Sequence, residues 1–244
     1  MFTLENQVAL ITGATGGIGR EIAKTLHKQG AIVAISGTKE SVLGELAAEL
    51  GDRVHVFACN LSDKQSVEAL VPAVEAALGK IDILVNNAGI TRDATLLKMT
   101  YDMWDEVMRV NLGGCFNMAK AVFPGMRERG WGRIVNIGSI AGIVGASGSA
   151  LYGATKASVH QLTRAWAAEY GPNGVRVNTV APGPIATDRS DEYADAIAPV
   201  LAQLPSGRMS SVAEVAAAVV FLAGPAAANI HGSILSIDGG WAAI

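Results

Sequence analysis

Tyr152 and Lys156 stand four residues apart in the run LYGATK. On a helix that spacing puts both side chains on one face, so a phenol and an ammonium can meet. A phenol of pKa about 10 carries protons poorly at neutral pH, but an adjacent ammonium stabilises the phenolate and lowers that pKa. The spacing alone is a common surface pattern and gains weight only from its company. Ser139 follows the apolar run GRIVNI, where its hydroxyl could hydrogen-bond a carbonyl oxygen. Asn111 sits in an apolar part of a long helix-patterned segment, and a weak helix former there asks for a reason.

A second constellation is glycine-rich. TGATGGIG, Thr12 to Gly19, lies where the apolar run QVALIT gives way to a helical pattern. Gly13 permits a tight turn, Gly17 lets backbone approach a pyrophosphate, and Gly19 lets the helix pack closely, while the helix N-terminus supplies amides and partial positive charge. Its place after a buried strand separates this turn from a glycine turn with no ligand. In such a site an acidic residue ending the second strand would hold a ribose 2′-hydroxyl and repel a 2′-phosphate. Here that position reads Ser36, Gly37, Thr38, Lys39, without a carboxylate, so NADPH/NADP is favoured over NADH. An oxidised nicotinamide cation near Tyr152 would stabilise its phenolate further. Asn60, just past the third strand, can bond an adenine edge or close an ordinary turn.

These residues need a scaffold. Short apolar runs at Gln7 to Thr12, Ala31 to Ser36, Val54 to Cys59, Ile81 to Val85, Gly132 to Ile137, Val175 to Val180 and Ser233 to Ile237 predict buried strands. Helical patterns separate them: Ile18 to Gln29, Glu40 to Leu50, Lys64 to Leu78, one long helix from Tyr101 to Arg129, Tyr152 to Tyr170, and Val212 to Ala223. Apolar strands alternating with amphipathic helices imply a doubly wound parallel α/β sheet, Rossmann-like, with helices on both faces. A single dinucleotide-binding and catalytic domain over 1–244 is expected. Gly183 to Pro205, with Pro184, Pro199 and Pro205, reads as a flap over the site.

Composition narrows the partners. The 244 residues include 19 Lys plus Arg against 22 Asp plus Glu, a net charge of -3 with no basic block, which argues against nucleic acid. The stretches Ile134 to Thr155 and Val215 to Ile237 lack charge but contain Asn136, Ser139, Pro225, Asn229 and His231, unlike a membrane span. The start, Met1 to Gln7, lacks the pattern of a signal peptide. Only two cysteines occur, Cys59 and Cys115, each in an apolar stretch, so a reducing, cytoplasmic setting is expected. His27, His55, His160 and His231 have no Cys, His or carboxylate at ligand spacing, and no metal site is expected. His160, one turn beyond Lys156, reads as a packed or interface residue. Trp104, Met108 and Phe116 read as core or subunit contacts.

Taken together, TGATGGIG, NNAG at Asn86 to Gly89, Asn111 in VNL, Ser139, YGATK and Pro182-Gly183 before Thr187 make the chain resemble the short-chain dehydrogenase/reductases from end to end. That resemblance implies a catalytic set of Asn111, Ser139, Tyr152 and Lys156. Tyr152 would give a proton to a substrate carbonyl that Ser139 orients; Lys156 would lower the Tyr pKa and hold the nicotinamide ribose; Asn111 would anchor a water in a proton relay. It also implies a cofactor lying along Thr12, Gly13, Thr15, Gly17, Ile18 and Gly19, then Ser36, Gly37 and Thr38, then Asn60 and Leu61. Further contacts would come from Asn87, Ala88 and Gly89, from Tyr152 and Lys156, and from Pro182, Gly183, Ile185 and Thr187.

Within the family, SGTKE and NNAGITRD are similar to 3-oxoacyl-acyl-carrier-protein reductases, and KMTYDMWDEVMRVNL to acetoacetyl-CoA reductases. Both imply NADPH-dependent reduction of a 3-oxoacyl thioester, linked to acyl carrier protein or CoA. For an acidic carrier, Arg127, Arg129 and Arg133 could form a docking patch near the site entrance, or simply a solvated helix end. Two rivals stand beside this reading: a reductase or dehydrogenase of another small ketone, alcohol or sugar, and a nucleotide-sensing protein without chemistry, against which the complete catalytic set argues. The nearly uncharged segments Val215 to Ala223 and Ser233 to Ile244, with the resemblance, imply a homotetramer.

Overall fold

The computed structural model describes residues 2–187 and 194–243, with 194–197 as backbone only. Seven parallel strands form one sheet: β1 (Val8–Ile11), β2 (Ile32–Gly37), β3 (Val54–Ala58), β4 (Ile83–Asn86), β5 (Gly132–Ile137), β6 (Val175–Pro182) and β9 (Ile234–Ile237). Their spatial order is β3-β2-β1-β4-β5-β6-β9. The order reverses between β1 and β4, which opens a crevice at the carboxyl ends of those strands.

Strand periodicity divides the core in two. Ala9, Ile11, Val33, Ile35 and Val85 face one side and pack against α1 (Gly17–Lys28), α2 (Glu40–Leu50) and α8 (Val212–Ala223) through Ile22, Leu26, Leu46 and Val219. Leu10, Ala34, Leu84 and Ile134 face the other and meet α3 (Lys64–Leu78), α5 (Gly114–Glu128) and α6 (Ala150–Tyr170) through Val74, Met118, Val122 and Val159. Each fully buried Leu or Ile contributes roughly 2 kcal/mol of transfer free energy, so the two faces hold the strand ends, and the site on them, in register. Asp63 caps α3 through Gln65 N, and Ser211 and Glu214 form a capping box on α8, satisfying amides left free at helix starts.

Two expectations change. β3 is not a buried strand: it is the sheet edge, with Val56 40% exposed, because an apolar run does not reveal whether a further strand will pair with it. The expected single helix from Tyr101 is α4 (Tyr101–Val107), a π-helical turn (Met108–Gly113), and α5. Of the flap expected at 183–205, β7 (Ile185–Ala186) pairs with β8 (Ser210–Ser211) and α7 spans Ala194–Leu201, while 188–193 lie outside the described residues.

Candidate active site

The carboxyl ends of the central strands enclose a cleft of about 600 Å³. At its floor the Thr12 hydroxyl donates to the Val85 carbonyl at 3.3 Å and accepts from the amides of Asn87 and Ala88, both at 3.1 Å. The Asn87 side-chain Nδ2 donates to the carbonyls of Thr12 at 2.9 Å and Gly13 at 3.1 Å. These bonds tie the glycine turn to the end of β4. Gly13 has φ +67°, and a Cβ there would sit 2.8 Å from Ala88 Cα, so both backbone angle and space require glycine. At Gly17 the nearest neighbour is Thr187 Cγ2, at 3.6 Å from a built Cβ. The N-terminus of α1 has no side-chain cap and no acid in its first turn. Uncapped amides facing an open cleft suit a pyrophosphate.

The reactive side chains converge from three elements. Ser139 follows β5 and caps the short turn Ile140–Gly142, its Oγ accepting from Ala141 N at 3.1 Å. It also acts on the phenol of Tyr152, which comes from α6. Burial is the largest influence on Tyr152 and pushes its phenol above the usual range; Ser139 pulls it back, and the negative charge of Asp93 pushes it up again. Lys156, 5% exposed, donates from Nζ to the Ile137 carbonyl at 2.7 Å. Its burial lowers the ammonium to about 8. In the protein alone the Tyr152 shift is upward, contrary to the lowering expected from the spacing: burial dominates, and Ser139 is the first group that opposes it.

Asn111 lies within the π-helical turn, a departure from α-helix that often marks functional sites. Its Oδ1 accepts from Ile90 N at 2.8 Å, and its Nδ2 donates to Ile90 O at 2.9 Å and Thr155 Oγ1 at 3.2 Å. With the side chain thus committed, Asn111 does not line the main cleft. It borders a recess of about 10 Å³ shared with Thr12, Asn86 and Lys156, roughly the room one water needs. Cys115, also on that recess, has its thiol pushed up to about 12 by burial and is no nucleophile at neutral pH.

A family profile described as enoyl-(acyl carrier protein) reductase matches residues 13–242. The chain belongs to the short-chain dehydrogenase/reductases. It is thus a member of an oxidoreductase family whose cofactors are NAD(P). A curated relative, 3-oxoacyl-acyl-carrier-protein reductase FabG of Vibrio cholerae, is 45% identical over 97% of this chain and 98% of its own length. Nodulation protein G of a Rhizobium species is 43% identical over 100% of both chains. Among solved structures, a gluconate 5-dehydrogenase from Burkholderia cenocepacia in complex with NADP and tartrate aligns with a TM-score of 0.94 at 36% identity, over 100% of this chain and 98% of that one.

In this short-chain dehydrogenase/reductase, the cleft is lined by Thr12, Gly13, Thr15, Gly17, Ile18 and Gly19; by Ser36, Gly37 and Thr38; by Asn60 and Leu61; and by Asn87, Ala88 and Gly89. Ser139, Tyr152, Lys156, Pro182, Gly183, Ile185 and Thr187 also line it. Lys39 is not on it; that residue is the N-cap of α2. Sequence reasoning missed Cys59, Ser62, Thr91, Glu106 and Val110, which also line the cleft. Glu106 accepts two hydrogen bonds from Arg92, both at 2.9 Å, a pairing across a loop that no local pattern signals. The docking patch is corrected. Arg133 is the second residue of β5, the strand whose far end leads to Ser139, so it lies away from the site entrance; it stacks on Trp131 and donates to Gly132 O and Gly174 O. Arg129 donates to Ile81 O at 2.6 Å, just before β4.

Proposed function

We propose that the protein reduces a 3-oxoacyl thioester, carried by acyl carrier protein or CoA, to the 3-hydroxyacyl thioester with NADPH. The observation that carries this reading is that Ser139, Tyr152 and Lys156 meet on one wall of the cleft, with Ser139 acting on the Tyr152 phenol. Two hydroxyls placed in this way can both address one carbonyl oxygen. The 45% identity to the Vibrio cholerae 3-oxoacyl-acyl-carrier-protein reductase supports the thioester class.

The dinucleotide, when bound, supplies a hydride to the carbonyl carbon. Ser139 orients and polarises the carbonyl, and Tyr152 gives its phenolic proton to the oxygen, so with the hydride on carbon the ketone gains two electrons and two protons in all while the thioester bond stays intact. The Lys156 ammonium, held beside Ile137 O, steadies the phenolate left on Tyr152. The recess between Asn111 and Lys156 offers a route for reprotonation. Selection of NADPH follows from the adenosine-ribose end of the cleft, where Ser36, Gly37 and Thr38 present hydroxyls and backbone and no carboxylate.

A second reading, oxidation or reduction of a small polyol or sugar acid, is favoured by the likeness to the gluconate 5-dehydrogenase. Steady-state assays with NADPH and NADH against acetoacetyl-CoA, gluconate and simple ketones separate the two. Thioester reduction with NADPH as the fastest reaction is expected; gluconate turnover exceeding it would overturn the assignment. No helix among the described residues is long and apolar enough to cross a membrane, and a substrate free in water or on a carrier fits that.

A further inference from the structure

His160 is 3% exposed, and its Nε2 has no hydrogen-bond partner among the described residues. It lies on α6 one helical turn beyond Lys156 and does not line the cleft. Instead the ring sits beneath the turn that carries Ser139. A Cβ placed on Gly138 would collide with His160 Nε2 and lie 2.7 Å from Thr179 Cγ2; one placed on Gly142 would lie 2.9 Å from His160 Cε1 and 2.7 Å from Ala157 N. Neither glycine has a positive φ, so closeness to α6, not backbone conformation, is what requires glycine there. The turn touches the same helix again at Gly153, whose Cβ would lie 2.6 Å from Ala141 O.

Ser139 is therefore carried between two glycines that both rest on one imidazole. We propose that His160 is a positioning residue for Ser139: its flat ring is the spacer that sets the height of the Ser139 turn over α6, and hence where the Ser139 hydroxyl stands relative to the Tyr152 phenol. This rests on the reading that Ser139 and Tyr152 address the substrate carbonyl. Burial first, then the charges of Arg164 and Lys156, lower His160 to about 4, so near neutral pH the spacer is uncharged. A misplacement of about 1 Å can cost up to about 100-fold in rate, and a displaced turn acts through such a shift.

The test is a double-mutant cycle of His160→Ala and Ser139→Ala with two readouts. One is turnover of acetoacetyl-CoA with NADPH. The other is ultraviolet titration of the Tyr152 phenol, isolated by difference against Tyr152→Phe, which needs no turnover. Cofactor affinity, changing by less than about twofold, verifies folding, and His160→Asn replaces the alanine variant if that one does not fold. His160→Ala is expected to lower turnover about tenfold and to raise the phenol titration in the same direction as Ser139→Ala. In the Ser139→Ala background it should change neither. Losses that multiply in the double variant, or an unshifted phenol in His160→Ala, overturn the proposal. If Ser139→Ala itself leaves the phenol unmoved, the site reading falls and the proposal with it. If the wild type ignores acetoacetyl-CoA, only the substrate reading fails, and the titration still decides on His160.

Discussion

The ammonium of Lys156 donates to the Ile137 carbonyl at 2.7 Å and lies 5.5 Å from the centroid of the Tyr152 ring. The last residue of β5 thus anchors the lysine, and the strand fixes where the positive charge stands relative to the phenol. Burial weakens that charge, lowering the ammonium to about 8. A bound cofactor whose ribose is held by the charged form binds more weakly once the proton leaves. The dissociation constant should therefore stay level below pH 8 and rise by up to about tenfold per unit above it. Fluorescence titration with reduced cofactor from pH 6.5 to 10 measures this, and a Lys156→Met protein should lose the dependence. For folding the sign is opposite. The native lysine releases its proton before the unfolded one, so between about 8 and the ordinary lysine value of 10.5 stability rises with pH.

Replacing Tyr152 with Phe removes the proton donor and little packing. Turnover is expected to fall by roughly 100-fold or more, with cofactor affinity nearly unchanged, because the ring and the Lys156–Ile137 bond persist. Stopped-flow measurement of the chemical step gives the comparison. Retention of more than about a tenth of the wild-type rate would remove Tyr152 from the role assigned to it.

Cofactor choice turns on Gly37. A Cβ there would lie 3.0 Å from Thr15 Cγ2, tight enough that the threonine must turn slightly. Gly37→Asp is nonetheless expected to fold and to reverse the preference from NADPH to NADH, by repelling a 2′-phosphate and offering a ribose 2′-hydroxyl an acceptor. The ratio of kcat/KM for the two cofactors, compared between the forms, reads the change. A wild type that already prefers NADH contradicts the phosphate-accepting role of Ser36 and Thr38.

The strand-helix rhythm was legible because each strand is largely apolar and each helix keeps one apolar face, and the glycine turn because it falls between an apolar strand run and a helical pattern; the contacts of Gly13 with Ala88 and Asn87 were not. What stayed hidden depended on pairing across the fold. The edge position of β3 depends on which strands follow it, not on Val54–Ala58 itself. The π-helical turn around Asn111 keeps the same residues apolar as an α-helix would, and the two-way bond between Asn111 and Ile90 joins segments distant in sequence. Arg129 and Arg133 looked like a surface patch until their carbonyl partners, Ile81 and Gly174, showed that they serve the strand beginnings. The direction of the Tyr152 shift also escaped, since burial outweighs any charge that spacing can suggest.

Assembly into a homotetramer is the expectation with the broadest surface behind it. Met108, Leu112 and Phe116 on one side and Leu162 and Ala165 on the other line an open apolar groove between the π-helical turn with α5 and α6. Phe116 and Trp104 are each 44% exposed, and Leu96, Leu97 and Tyr101 stand 81%, 97% and 89% exposed nearby. Trp104 and Phe116 are thus not core residues, and subunit contact is the role a tetramer would give them. The α8 and β9 end adds Trp241 and Ala243, with Ile244 outside the described residues. Apolar area of this extent on a monomer would invite aggregation, and two separate faces suit two dyads. Sedimentation velocity at micromolar concentration should give a tetramer, and Phe116→Glu, which buries a charge in one face only, should leave dimers joined through the other. A fully active monomer would show that neither face is needed; tetramers unaffected by Phe116→Glu would move the interface off α5.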